Sequence, residues 1–360
     1  MAGDLSIKTI RETPLEEYLH PGSSMCPGCG AQVMIRLMLK VLGPKTFIVN
    51  AAGCMTLLQT YPYSNLKSGW LYTAFASAPA GAQGIRDALD SLISQGKARD
   101  EGIKILVLTG DGGAYDIGLQ ATSAAMDRDL DFYYLCYDNE AYGNTGFQQS
   151  GASPYGSSTT TSPIGRLNPV GTEKRKKNLF EIWKAHNPAY LATISPSHPL
   201  DLMQKVEEAA RRKGPKMFIG YASCPTGMGF DPSLSIKVAQ LAVDTGVWPL
   251  KKYVDGKVIH TMIPKFVPVE EYLRLQARFR HLFDENNPAA KEAIAKIKDE
   301  IRSYWKAQGI EAKARHHMVI ADGSCCGSCF SSSFLWFSWG IPSGKGKPSS
   351  LHTNMEVAML

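Results

Sequence analysis

The chain has 360 residues, 44% hydrophobic and 20% charged, which excludes a disordered or collagen-like chain and supplies a core for two ordinary domains or one enlarged one. Thirty-nine Lys and Arg against 33 Asp and Glu give +6, gathered in short runs such as Lys174, Arg175, Lys176 and Lys177; this is too mild for a nucleic-acid binder and suits an anionic substrate or a small acidic partner protein. No apolar stretch nears the ~20 residues of a membrane span, and the N-terminal MAGDLSIKTIRE lacks a signal-peptide core. The expected location is therefore the cytoplasm, where eight cysteines suit metal binding better than a disulfide framework.

Residues 1–24 read as an N-terminal arm broken by Pro14, Pro21 and Gly22. Residues 31–42 carry apolar Val33, Ile35, Leu37, Met38, Val41 and Leu42 and predict a buried helix stopped by Gly43-Pro44. A strand is expected at 46–50 and a helix rich in small residues at 74–93. The segment 104–109 (KILVLT) is the clearest central strand, followed by Gly110-Asp111-Gly112-Gly113 and a helix from about 117 to 128. A further strand at 131–137 leads into a long Gly, Ser, Thr and Asn-rich loop over 138–165. A helix at 179–185, a strand at 190–194, a helix at 199–213 and a strand at 217–221 continue the alternation. This predicts a doubly wound, mostly parallel α/β domain over 25–240. Residues 241–310 should pack on that core or on a partner subunit, with a β segment at 258–267 and mixed-charge helices at 269–283 and 288–306. Residues 311–360 form an extension in which His316, His317, Cys325, Cys326 and Cys329 are compatible with a second metal site or with a partner-bound tail.

Gly110-Asp111-Gly112 stands at the carboxyl end of a predicted strand and opens a helix, where open α/β sheets bind ligands. Alone, this triplet reads as well as a helix cap. Asn139 directly after the next strand favours another reading: a carboxylate and an amide oxygen on adjacent parallel strands can grip one hard cation such as Mg²⁺ and leave room for phosphate oxygens. Amides at the glycine-rich helix start would then hold a diphosphate. The pairing resembles the diphosphate-binding signature of thiamine diphosphate enzymes, which implies Mg²⁺ ligation by Asp111, Asn139 and the Ala141 carbonyl. Such enzymes need a second module with a glutamate that activates the cofactor; the chain is too short to hold both, so a partner subunit should supply it.

Cys26-Pro27-Gly28-Cys29 is a CxxC before a helix, Cys54 follows the first strand in AAGCMT, and Cys224 follows a strand in YASCPTG. All four are expected at the same sheet edge as Asp111. Spacing suits tetrahedral zinc and a [4Fe–4S] cluster alike. An electron-rich thiamine adduct favours the cluster, because zinc beside it would do no chemistry. Cys136, inside a strand, reads as core.

Together PGSSMCPGCGAQ, NAAGCMT, LTGDGGAYDIGLQ, YDNEAYGNTGFQQSGASPYGSSTTTSPIG, ASCPTG and VDTGVWPLKKYVDGKV resemble the β subunit of 2-oxoacid:ferredoxin oxidoreductases, nearest the pyruvate:ferredoxin oxidoreductase branch, over about residues 15–305. The resemblance implies that Cys26, Cys29, Cys54 and Cys224 ligate a [4Fe–4S] cluster. It implies that Asn144 faces the substrate carboxylate or cofactor adduct and that Leu57 lines the substrate pocket. Gly28, Gly53, Gly110 and Gly112 would allow close backbone approach to cluster and cofactor, and Thr145 and Gln148 would shape the loop over the diphosphate. The implied reaction is oxidative decarboxylation of a 2-oxo acid, pyruvate favoured, to acyl-CoA and CO₂, with electrons passing to a ferredoxin-like subunit and ferredoxin. Other acids (2-oxoglutarate, branched-chain, phenylglyoxylate, indolepyruvate, oxalate) stay open, because partner subunits share the pocket. The alternative of a non-redox thiamine enzyme subunit, with structural zinc on the thiols, predicts no cluster, and the four thiols weigh against it; a zinc-stapled interaction module leaves the Gly-Asp-Gly and DNEAYGNTG segments unexplained.

Overall fold

The computed structural model describes residues 5–60, 62 and 64–310; the histidine and cysteine cluster between 316 and 329 lies outside the described residues. In chain order the elements are α1 (Gly30–Leu42), β1 (Thr46–Ala51), β2 (Trp70–Thr73), α2 (Ala78–Ser94), β3 (Lys104–Gly110), α3 (Leu119–Asp127), β4 (Phe132–Asp138), α4 (Leu179–Lys184), β5 (Tyr190–Ile194) and α5 (Pro199–Ala210). They continue with β6 (Pro215–Tyr221), α6 (Pro225–Met228), α7 (Ser235–Asp244), β7 (Lys251–Val254), β8 (Lys257–His260), α8 (Val269–Arg274) and α9 (Ala290–Ala307). Among the described residues no helix is long and apolar enough to cross a membrane.

One eight-stranded sheet runs in the order β2-β1-β3-β4-β6-β5-β7-β8. The first six of these are parallel, which requires both faces to be covered and explains their near-continuous apolar runs. Alternation decides which layer each side chain joins. Ile105 and Val107 of β3 and Tyr134 and Cys136 of β4 face one core, with α2, α3, α4 and α7. Leu106, Leu108, Leu135 and Tyr137 face the other, against α1 and α5. Cys136 is a core residue, fully buried. The apolar stripe of α1 is Met34, Ile35, Met38, Leu39 and Leu42 rather than the face through Val33, and the helix stops at Gly43, whose φ is 83°.

The sequence reading differs from the fold in several places, and it did not expect helices α6 and α7. The β segment expected at 258–267 is instead the second strand of a hairpin: β7 and β8 pair antiparallel around Asp255-Gly256, both at positive φ (51° and 77°), and the chain after His260 is irregular. A two-residue Asp-Gly turn between short β runs is a strong hairpin signal. The helix expected over 269–283 breaks after α8, because Gln276 is extended and its side chain donates to the Tyr272 carbonyl at 2.8 Å; a 3₁₀ segment, Ala277–Phe283, follows. The helix after β3 begins earlier, as a π-helical turn over Gly112–Ile117. Strand β2 was not expected; its four residues are partly exposed at the sheet edge and carry no buried apolar pattern.

Because β1, β3, β4 and β6 are adjacent and parallel, Cys54, Asp111, Asn139 and Cys224 leave the sheet side by side at its carboxyl edge. Helix α9 closes the C-terminal part through Trp305, which is 1% exposed and donates Nε1 to the Gly246 carbonyl at 3.0 Å. Trp305→Ala is expected to lower stability by about 3–5 kcal/mol, the usual cost of an aromatic-to-alanine cavity, read as a fall in the urea midpoint at unchanged slope.

Candidate active site

Asp111 directly precedes the π-helical turn and is 1% exposed. Ser150 Oγ donates to its Oδ2. The Asn139 side-chain oxygen faces only acceptors, Asp111 Oδ1 and the Ala141 carbonyl oxygen; with the amide turned over, its nitrogen would donate to them at 2.8 and 2.6 Å. Three oxygens aimed at one point repel unless the amide turns or a cation draws them together. The donor set is hard and all oxygen, which fits Mg²⁺. Burial, with the neighbouring Asp138 charge adding to it, pushes the Asp111 carboxyl well up.

Glu140, between Asn139 and Ala141, holds a left-handed φ of 66°, uncommon for a residue with a side chain. Its amide donates to Asp138 Oδ1 at 3.0 Å and its carbonyl accepts from Ser153 Oγ at 2.7 Å. Its carboxylate lies 2.5 Å from Arg278 Nη2 and 3.0 Å from Lys176 Nζ, and Lys176 also pairs with Asp138 at 2.8 Å. Tyr115 donates its hydroxyl to Asp138 Oδ2 at 2.6 Å. Two carboxylates and two cations thus form a balanced buried network beneath the loop. Burial opposes each charge, but Lys176 and Arg278 keep Glu140 below the usual carboxylate range, and Asp138 and Glu140 raise Lys176. Lys176 is therefore a half-buried member of this network, its side chain 23% exposed, rather than part of a solvated basic run, and Lys177 pairs with Asp116 at 2.5 Å.

The turn after β3 is too crowded for side chains. A Cβ on Gly112 would lie 2.2 Å from the Tyr142 ring, and one on Gly113 2.2 Å from Thr109 Oγ1. Beside it is a cavity of about 170 Å³ that Gly53, Gly110, Asp111, Gly112, Asn139 and Ala141 all border, with Asn144 and Thr145 at its exposed side. Thr145 and Gln148 are tied to each other, Thr145 Oγ1 donating to Gln148 Oε1 at 2.6 Å; Gln148 borders neither cavity.

A second cavity, about 650 Å³, is bordered by Cys26, Cys29, Cys54 and Cys224, together with Leu57 and Asn144. Cys29 is the N-cap of α1 and Cys224 that of α6, its Sγ accepting from Gly227 N at 3.3 Å. The CxxC turn is pinned to β6 by Gly30 N, which donates to the Ser223 carbonyl at 3.0 Å. Gly28 lines neither cavity; its φ of 73° and the Pro232 carbonyl 2.6 Å from a would-be Cβ make it the turn's pivot. Burial pushes Cys29 up to about 11 and Cys54 to about 12, the other thiols adding to the shift, so neither is a ready thiolate. Among the described residues no three His, Cys, Asp or Glu side chains are gathered tightly enough for a single metal ion. The two cavities share Cys54, Tyr137, Asn139, Gly143 and Asn144 in their walls.

Ser150, Glu140, Lys176 and Arg278 escape a sequence reading. The signal for Lys176 was present but ambiguous within KRKK, and Arg278 is brought in from 138 positions away.

The family described as thiamine pyrophosphate enzyme, C-terminal TPP binding domain, matches residues 51–219, which run from the end of β1 into β6 and include Asp111 and Asn139. The chain is 44% identical over 291 residues to the pyruvate synthase subunit PorB of Methanothermobacter thermautotrophicus, covering 80% of this chain and 99% of that one. It is 41% identical over 286 residues to the ketoisovalerate oxidoreductase subunit VorB of Pyrococcus furiosus, covering 78% and 91%. A solved 2-oxoglutarate:ferredoxin oxidoreductase from Magnetococcus marinus is a more distant likeness, with TM-score 0.47 and 20% identity over 62% of this chain and 72% of that one. The chain belongs to the β-subunit family of the thiamine diphosphate-dependent 2-oxoacid:ferredoxin oxidoreductases, and is a subunit of a multi-subunit enzyme.

Arg278→Met is expected to cost about 3–5 kcal/mol by stranding Glu140, and adding Glu140→Gln should recover part of it, which a double-mutant cycle in urea measures. In the cofactor-free chain, iodoacetamide should label exposed Cys26 first, while Cys29 and Cys54 react appreciably only as the pH approaches 11 and 12. Equal rates for all three at neutral pH, read by peptide mass spectrometry, would contradict that burial.

Proposed function

We propose that this chain is the catalytic β subunit of a cytoplasmic pyruvate:ferredoxin oxidoreductase, in which pyruvate is oxidatively decarboxylated, its acetyl group passing to coenzyme A, CO₂ leaving and two electrons passing to ferredoxin. The observation that carries the reading is the sharing of one wall, Cys54, Tyr137, Asn139, Gly143 and Asn144, between a cavity bordered by four cysteines and a cavity bordered by the Gly110–Gly112 turn. Thiamine diphosphate bound at the turn after β3 would supply an electron sink for decarboxylation, and a [4Fe–4S] cluster held by Cys26, Cys29, Cys54 and Cys224 would supply a one-electron acceptor beside it. Zinc in the same cavity would leave those electrons without an acceptor.

The residues divide the work by chemistry. Asp111, Asn139 and the Ala141 carbonyl hold Mg²⁺ in an all-oxygen set, and the turn after β3 takes the diphosphate where a side chain would block it. Cys26, Cys29, Cys54 and Cys224 bind the cluster, losing their protons as they do. Asn144, at the border of both cavities, orients the substrate carboxylate with its amide, and half-buried Leu57 offers a short apolar wall that suits pyruvate. The glutamate that activates the cofactor comes from a partner subunit, and a ferredoxin-like subunit carries electrons outward to ferredoxin.

Anaerobic purification of the assembled enzyme, with iron, sulfide and thiamine quantified, tests this. A full [4Fe–4S] complement that disappears in Cys54→Ser, with thiamine retained, supports it; zinc without iron contradicts it. Asp111→Asn should weaken Mg²⁺-dependent thiamine diphosphate retention by at least about tenfold, or 1.4 kcal/mol, measured by equilibrium dialysis.

A further inference from the structure

Among the described residues, Arg278 is the charged side chain that both pairs with Glu140 of the Asn139–Ala141 loop and borders the cysteine cavity. It is 4% exposed. Three of its directions are taken: Nη2 donates to Glu140 Oε2 at 2.5 Å and to the Tyr272 hydroxyl at 3.2 Å, and Nε donates to Gln276 Oε1 at 3.0 Å. Nη1 is buried with no partner among the described residues, and Arg278 borders the same cavity as Cys26, Cys29, Cys54 and Cys224. A buried N–H without an acceptor is unfavourable, and a guanidinium cannot relieve it by losing a proton. Its partner is then an acceptor in the cavity.

We propose that Arg278 Nη1 donates a hydrogen bond to the sulfur shell of the cluster held by the four cysteines, on the side of Cys224, and raises the cluster's reduction potential. This rests on the [4Fe–4S] reading of that cavity. The neighbouring backbone places the guanidinium on that side: Ala277 N donates at 2.9 Å to the carbonyl of Gly229, which ends the short helix α6 that Cys224 caps. Each added electron makes the cluster one charge more negative, so a fixed positive donor stabilises the reduced form more than the oxidised one. The break after α8 has a purpose in this light: Gln276 holds Nε, Glu140 holds Nη2, and the fork is fixed before the cluster is present. The same side chain thus sets the shape of the Asn139–Ala141 loop at one end and the acceptor's affinity for electrons at the other.

The test uses the complete enzyme. The cluster of this subunit is titrated by EPR in the wild type, Arg278→Gln, Arg278→Lys and Glu140→Gln. Arg278→Gln should lower the potential by about 59 mV, a tenfold change in a one-electron equilibrium, and Arg278→Lys by less. Glu140→Gln cuts the same ion pair but keeps Nη1 and removes a negative charge, so its potential should hold or rise; a fall there would make the effect structural and overturn the proposal. Where Arg278→Gln does not assemble, pulsed EPR of wild-type enzyme grown on ¹⁵N-arginine decides, with coupling of the reduced cluster to ¹⁵N expected. A cluster whose potential is unchanged in Arg278→Gln, with no ¹⁵N coupling, overturns the proposal. A raised KM for the 2-oxo acid at unchanged potential overturns it as well, by placing Arg278 on the substrate. Absence of iron from the wild-type subunit would instead sink the cluster reading, and this inference with it.

Discussion

A buried turn that gathers the Asn139 side-chain amide, the Ala141 carbonyl and the Asp111 carboxylate at one point is the constraint on which the rest depends. The Asn139 amide and the Ala141 carbonyl can share a target because Glu140, between them, is left-handed. A buried glutamate in that conformation carries two penalties, backbone strain and desolvation. Both are offset by one arrangement: its carboxylate lies between Lys176 and Arg278, while Asp138 below it accepts from the Glu140 amide and completes the charge balance. Removing any one member leaves an unpaired buried charge, which is far less favourable than the pair.

The parallel sheet makes this arrangement possible. Adjacent parallel strands end together, so the residues after β1, β3, β4 and β6 form a row without long connecting loops. The two cavities follow from side-chain alternation along β4, which sends Cys136 into one core and Tyr137 into the other, where it stands between the cavities. Glycine does the remaining work at Gly112, where the Tyr142 ring leaves no space for a Cβ.

What was legible in the sequence was whatever is local and periodic. The strand KILVLT, the Gly-Asp-Gly after it and the CxxC before a helix announce themselves, because their partners lie within a few residues or in the next strand. The network under the loop was not legible, since it joins positions 138, 140, 176 and 278, and nothing near Arg278 marks it as internal. Lys176 illustrates the same limit: a lysine inside KRKK looks solvated, yet it is held between two carboxylates with its ammonium 5.0 Å from the Trp248 ring. The hairpin at Asp255-Gly256 was legible in its turn residues and was overlooked in favour of the apolar run that follows.

The central claim is that one chain places a redox cluster against its thiamine site. Anomalous-difference maps of crystals of the assembled enzyme, collected on both sides of the iron edge and of the zinc edge, test it most directly. The account predicts a cluster-sized iron peak enclosed by Cys26, Cys29, Cys54 and Cys224. A peak there that appears only at the zinc edge, or iron found elsewhere in the assembly with none in this cavity, would contradict it.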